Sequence, residues 1–280
     1  MSEWGDAQPD LQEVEIRLLL EGIEQVYGYD FRDYAEASIR RRLVHWLAES
    51  GFETFSLAQS RVLRDRRVFD SLLRGITINV TEMFRDPGFF RMVRTKVVPF
   101  LRTYPFVKIW HAGCATGEEA YSMAILLNEE GMAGRYRIYA TDINEAILER
   151  AQEGILSVAS MQLFTRNYQL SGGAASFADY YTARYEHALL SPALRKNIVF
   201  APHNLATDGE FGEMNMILCR NVMIYFKPPL KERCLRLFDD SLPPGGFLCL
   251  GLKEVLERTS IEARFAELDG PMRIYRKRYD

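Results

Sequence analysis

Through roughly the first eighty residues the apolar positions recur at the three-to-four spacing of a single buried helical face. Val14, Ile16, Leu18, Leu19, Leu20 and Ile23 form one stripe, and Ile39, Leu43, Val44 and Leu47 form a second. Gly28 and Gly51 stand where these helices should stop. A third helix is predicted through Val62, Leu63, Phe69, Leu72 and Leu73. From Phe106 onward the pattern changes to short β-rich runs, at Val107–Ala112, Tyr136–Ala140, Asn197–Ala201, Met214–Cys219, Phe247–Leu250 and Ile274–Tyr275. Helical stretches at Glu118–Asn128, Glu145–Ala151 and Pro229–Asp240 lie between them. Strand alternating with helix predicts a parallel sheet covered on both faces, and such sheets bind ligands at the carboxyl ends of their strands. Residues 158–196 break the alternation: Tyr180–Tyr185 suggests a strand and Gly172-Gly173 a tight turn, so a small antiparallel insertion is expected there.

Composition narrows the class. The 280 residues are 48% apolar and 26% charged with a net charge of −3, the balance of an ordinary globular protein. No apolar run approaches the roughly 20 residues of a membrane helix, and Met1-Ser2-Glu3-Trp4 does not open a secretory leader, so a cytoplasmic protein without membrane insertion is expected. Cys114, Cys219, Cys234 and Cys249, like His45, His111, His187 and His203, lack ligand spacing, and no metal is expected.

The most informative stretch is the strand ending His111-Ala112-Gly113, followed by Cys114-Ala115-Thr116-Gly117-Glu118-Glu119 at a helix start. Gly113 and Gly117 let a cofactor approach bare backbone. Two carboxylates in the first helical turn would repel a diphosphate but could accept an ammonium, which favours S-adenosylmethionine over a dinucleotide. The plainer reading is that both simply favour the helix dipole. Asp142, just past the second strand, suits ribose hydroxyls, or else caps the next helix. Asn204, after a later strand, could read an adenine edge or merely form a turn.

Five segments resemble the CheR family of chemotaxis receptor methyltransferases: Asn79-Val80-Thr81-Glu82-Met83-Phe84-Arg85, Ala115-Thr116-Gly117-Glu118-Glu119-Ala120-Tyr121-Ser122, Ala140-Thr141-Asp142-Ile143, His203-Asn204-Leu205 and Cys219-Arg220-Asn221-Val222-Met223-Ile224-Tyr225-Phe226. The resemblance implies a doubly wound, Rossmann-like class I methyltransferase domain over residues 79–280, carrying the 158–196 insertion, after an all-α substrate-docking domain over residues 1–78. It implies that Asn79, Thr81, Arg85, Glu118, Asp142, Asn204, Leu205, Arg220 and Asn221 line the cofactor site, with Arg85 and Tyr225 nearest the transferred methyl. Two departures stand out: Ala120 replaces the family's common proline, and Gly251-Leu252-Lys253-Glu254 replaces a Gly-His-Ser-Glu-like segment.

By the same resemblance the substrates are glutamate side chains on the helices of methyl-accepting chemoreceptors, and the products are glutamate γ-methyl esters and S-adenosylhomocysteine. A glutamate is already ionised at neutral pH, so positioning should dominate and no strong base is needed. Arg40, Arg41, Arg42, Arg61, Arg64, Arg66, Arg67 and Arg74 could steer an acidic helical partner, or form local ion pairs with Asp65 and Asp70. A nucleic-acid methyltransferase is the first rival, but the Asn/Asp-Pro-Pro-Tyr motif that grips a flipped base is missing, so no nucleic-acid partner is expected. A cofactor-sensing module without turnover is the second; the intact Arg85 and Tyr225 speak against it. In some family members the insertion binds a receptor's C-terminal peptide. Oligomeric state is left open.

Overall fold

The computed structural model describes residues 10–77, 81–210 and 212–279. Asn79, one of the expected cofactor residues, lies outside them. By contact the chain divides into two units: residues 10–77 with Tyr225–Leu230, and residues 81–224 with 231–279.

The first unit holds α1 (Leu11–Tyr27), α2 (Glu36–Ser50), α3 (Phe55–Val62) and α4 (Arg66–Ile76). α1 and α2 end at Gly28 and Gly51, both in the left-handed region (φ 76° and 75°) where a side chain would be strained. The single helix expected through Val62–Leu73 is two. The carboxylate of Asp65 accepts the Arg67 amide and starts α4 anew, so that the chain turns between Leu63 and Asp65. Of the predicted stripes, Leu18 and Val44 face solvent, while Ile16, Leu19, Leu20, Ile23, Ile39 and Leu43 are buried.

The second unit opens with α5 (Pro87–Met92), a π-helical turn over Val93–Val97 and α6 (Val98–Leu101), none of which the apolar pattern signalled. Next come β1 (Val107–Ala112), α7 (Glu118–Glu129), β2 (Tyr136–Asp142) and α8 (Glu145–Glu153). The insertion contains β3 (Ile155–Ser157), α9 (Met161–Leu170), β4 (Tyr181–Arg184) and β5 (His187–Leu190). It is antiparallel in the order β3-β5-β4, as expected, but it starts before residue 158 and includes a helix. α10 (Pro192–Arg195), β6 (Ile198–Pro202), β7 (Met216–Cys219), α11 (Pro228–Ser241), β8 (Phe247–Leu250), β9 (Phe265–Asp269) and β10 (Ile274–Lys277) complete the chain.

The main sheet runs β6-β2-β1-β7-β8-β10-β9, with β10 antiparallel to both its neighbours and every other pairing parallel. The chain is therefore a doubly wound α/β protein with an all-α N-terminal portion. Strand order reverses between β2 and β7 on either side of β1, and that switch point is where the carboxyl ends open a crevice. α7 is buried almost all round, from Ala120 through Leu127, because it lies within the layer over the sheet. Its N-terminus is thereby fixed at the crevice.

Candidate active site

The β1–α7 turn is set by two contacts. A Cβ on Gly113 (φ 78°) would stand 2.5 Å from the Val222 side chain, so only glycine lets this turn pass beneath the β7 turn. Gly117, at φ 89°, caps α7. Between them Ala115 adopts φ 49°, uncommon for a residue with a Cβ. Its amide donates to Asp142 Oδ2 at 3.0 Å, while Oδ1 accepts the Asn144 amide at 3.0 Å. Asp142 thus ties the end of β2 to the glycine turn. It does not cap α8, whose capping residue is Asn144.

The neighbouring glutamates, indistinguishable in sequence, part company here. Glu119 is gripped by Arg220 Nη1 (2.7 Å) and His111 Nδ1 (3.1 Å). Burial works against its charge, but Arg220 and His111 outweigh burial and pull its carboxyl down to about 2. Glu118 accepts the Thr116 hydroxyl at 2.6 Å. Burial pushes its carboxyl above the ordinary range, and it does the same to Asp142 despite the two amides. Among the described residues neither Glu118 nor Asp142 has a cationic partner. Two buried, cation-free carboxylates at one strand-end crevice fit a ligand that brings its own positive charge and hydrogen-bond donors.

Arg220 spends both terminal nitrogens within the protein. Its Nη2 pairs with Asp86 at 2.7 Å and its guanidinium lies 4.0 Å from the centroid of the Phe89 ring. It therefore joins α7, the end of β7 and the loop before α5. That loop presents Arg85, half-buried, between Phe84 (φ 52°) and Asp86 (φ 56°). Left-handed geometry at each of these non-glycine residues costs about 1–2 kcal/mol, so the surrounding contacts must hold it. The Phe84 amide donates to Ser122 Oγ (2.8 Å), which donates to the Glu118 carbonyl (2.7 Å). Thr81 is half-buried at the start of this loop.

Asn204 and Leu205 follow β6. The Asn204 Oδ1 accepts the Ala206 amide at 3.0 Å, the turn-forming role foreseen as an alternative, which leaves its amide nitrogen as the donor toward any ligand. Leu205 is buried. Asn221 sits at φ 62°, and its amide donates to Glu254 Oε2 (2.9 Å).

Glu254 is the residue that sequence reasoning missed. Its carboxylate accepts four backbone amides, from Gly251 (2.6 Å), Asn221 (2.9 Å), Val222 (3.1 Å) and Ile224 (3.2 Å). Gly251 is demanded by the same anchor, since a Cβ there would lie 2.6 Å from Glu254 Oε2 and 2.7 Å from the Asn221 nitrogen. The two departing residues, Leu252 and Lys253, are exposed, so the change in this loop leaves the anchor intact.

Tyr225 belongs to the first unit, where the Arg42 guanidinium lies 4.7 Å from its ring centroid and its carbonyl accepts the Ala35 amide at 2.7 Å. Arg42 also donates to the Ile76 carbonyl and is half-buried. Among the other arginines of the basic concentration, Arg40 pairs with Asp10, Arg61 and Arg67 with Asp65, and Arg66 with Asp70. Arg41, Arg64 and Arg74 are exposed and have no carboxylate partner among the described residues.

Two family models cover this architecture: the CheR methyltransferase all-alpha domain matches residues 14–77, and the CheR methyltransferase SAM binding domain matches residues 79–272. The chain belongs to the CheR methyltransferase family. A Pseudomonas putida relative bearing the methyltransferase name Cher3 is 52% identical over 95% of this chain and 97% of its own length. The chemotaxis protein methyltransferase of Listeria innocua is 31% identical over 83% of this chain and 86% of its own. That of Salmonella typhimurium is 28% identical over 87% and 84%. This CheR-family chain is accordingly an S-adenosylmethionine-dependent methyltransferase, and the cation-free pair Glu118 and Asp142 agrees with that cofactor. Among the described residues no helix is long and apolar enough to cross a membrane, and no cluster of side chains could hold a metal.

Proposed function

We propose that the protein is a glutamate O-methyltransferase that esterifies side chains on the cytoplasmic helices of methyl-accepting chemoreceptors, in chemosensory adaptation. The observation that carries this reading is the division of labour between Glu118 and Glu119: one carboxylate is spent inside the protein, and the other is left for a cationic ligand. Glu118 would hold the cofactor's ammonium, Asp142 its ribose, and Asn204 with Leu205 its base. Gly113 and Asn221 would shape the backbone around it, with Asn79 and Thr81 alongside. Arg220 would act by tethering Asp86, and so Arg85, to α7.

Bound S-adenosylmethionine supplies a methyl group on a positively charged sulfur that is already a good leaving group. The acceptor glutamate has a reference pKa near 4.3 and reaches the site as its own nucleophile, so the protein's task is alignment. The fork of Arg85 orients one carboxylate oxygen and leaves the other to attack; pairing both would blunt the nucleophile. By the family resemblance the Tyr225 hydroxyl would bond the acceptor carboxylate as well. Arg85→Lys and Tyr225→Phe should each lower turnover, and undiminished turnover in both would remove these assignments.

Receptor docking is assigned to the exposed arginines that hold no carboxylate among the described residues. Arg41, Arg64 and Arg74 offer uncompensated positive charge to a glutamate-rich helix, whereas Arg42 is held against Tyr225 and Ile76. Reversing Arg41, Arg64 and Arg74 to Glu should weaken receptor methylation and leave cofactor affinity unchanged. The discriminating test offers labelled cofactor to the enzyme with either a chemoreceptor cytoplasmic fragment or nucleic acid. Label on receptor glutamates supports the proposal, and label on nucleic acid alone refutes it.

A further inference from the structure

The insertion does more than decorate the sheet edge, because its helix reaches the loop that carries Arg85. Buried Asn167, on α9, directs Nδ2 to the Met83 carbonyl (3.2 Å) and to Glu82 Oε2 (3.4 Å). The next residue, Tyr168, packs edge-on against Phe84 with ring centroids 5.3 Å apart, and Phe177 of the insertion adds a second edge contact at 6.3 Å. Gly173 is required for this, since a Cβ there would fall 2.2 Å from the Tyr168 ring.

Tyr168 is itself anchored. Its hydroxyl and that of Tyr180 both donate to Glu129 Oε1 at the end of α7, and Arg94 of the π-helical turn pairs with the other oxygen. Burial alone would raise the Glu129 carboxyl, but the Tyr168, Tyr180 and Arg94 hydrogen bonds together bring it below its ordinary value. The insertion is thereby locked to the methyltransferase core at two places, and the second of them is the residue pair directly before Phe84-Arg85.

We infer that Asn167 is a positioning residue for Arg85 in methyl transfer. Phe84 and Asp86 hold left-handed backbone without glycine, so the loop relaxes unless it is held on both sides. Arg220 holds Asp86, and Asn167 holds Glu82 and Met83. Removing the Asn167 amide frees the Met83 carbonyl and lets Phe84 and Arg85 drift without touching cofactor or acceptor. This inference rests on the reading of Arg85 as the group that orients the acceptor.

The test is a kinetic cycle on the full-length enzyme, with a chemoreceptor cytoplasmic fragment as acceptor. Asn167→Ala should lower kcat on the order of tenfold, while the calorimetric affinity for S-adenosylmethionine and the KM for receptor stay at wild-type values. In an Arg85→Ala background the same substitution should change kcat by less than about twofold, because Arg85 is what it positions. Asn167→Ser removes the same donor with less loss of volume and stands in if the alanine variant does not fold. Hydrogen exchange should quicken at the Phe84 and Arg85 amides in either variant. Equal losses in both backgrounds, or wild-type kcat with Asn167 removed, would overturn the inference while leaving Arg85 in place. Wild-type kcat in Arg85→Ala alone would instead remove the reading of Arg85, and the inference with it.

Discussion

Replacing Glu254 by Gln should unfold the protein well below the wild-type temperature although the side chain keeps its shape. The wild-type carboxylate uses Oε2 for the Asn221 and Gly251 amides and Oε1 for those of Val222 and Ile224. An amide has one acceptor oxygen, so one of these pairs meets an NH2 group instead. Two hydrogen bonds to a charged acceptor are together worth about 3–6 kcal/mol. Part is returned, because burial disfavours the charge and pushes the Glu254 carboxyl up, and removing the charge relieves that. A net loss of about 2–4 kcal/mol remains, which at roughly 2–4 °C per kcal/mol for chains of this size lowers Tm on the order of 10 °C. Calorimetry at pH 7 on Glu254→Gln, with Leu252→Ala as an exposed control, measures it. The control should stay within about 0.5 kcal/mol of wild type. A glutamine variant melting within about 2 °C of wild type would refute the anchor.

Three other outcomes follow from the same geometry. Glu118→Gln should weaken S-adenosylmethionine binding by about 10–100-fold in calorimetry while the apo-protein melts no lower than wild type, since a buried carboxylate without a cation opposes folding; a lower apo Tm with intact affinity would contradict this. Glu119 titrates low in the folded protein, so the stability it adds is present above its unfolded pKa and is lost as pH falls toward about 2; the unfolding free-energy gap between wild type and Glu119→Gln should therefore shrink between about pH 5 and pH 3, and a gap independent of pH would count against the Arg220 pairing. Gly113→Ala should destabilise the protein by thermal melting, and Val222→Ala should restore only part of the loss, because the clash at 2.5 Å is relieved but φ 78° is not.

What was legible in the sequence was whatever depends on local pattern. The stripe through Ile16, Leu19, Leu20 and Ile23, the stops at Gly28 and Gly51, and the alternation from β1 to α8 each follow from neighbours within a few residues. The split between α3 and α4 escaped because the apolar spacing continues across it, and only the Asp65 cap betrays the break. α9 was hidden in a stretch whose glycines and tyrosines suggested turn and strand. Spacing put Gly113 and Asp142 at the ends of β1 and β2 and Glu118 at the start of α7, but it left Glu118 and Glu119 equivalent. Their difference comes from Arg220, about a hundred positions away, and no periodicity carries it. Glu254 was opaque for the same reason, since its partners are backbone amides around Asn221, which any residue type could offer. The arginines looked alike as well, until the packing showed which of them already held a carboxylate.

The account turns on the kind of bond the enzyme makes. Purified protein, a chemoreceptor cytoplasmic fragment and methyl-labelled S-adenosylmethionine are incubated, and the recovered receptor is treated with mild alkali. Release of the bound label as volatile methanol, reduced in Arg85→Ala and abolished in a receptor whose acceptor glutamates are changed to alanine, is the predicted result. Label that stays on the receptor through alkali would mean methylation at nitrogen or carbon and would contradict a glutamate ester.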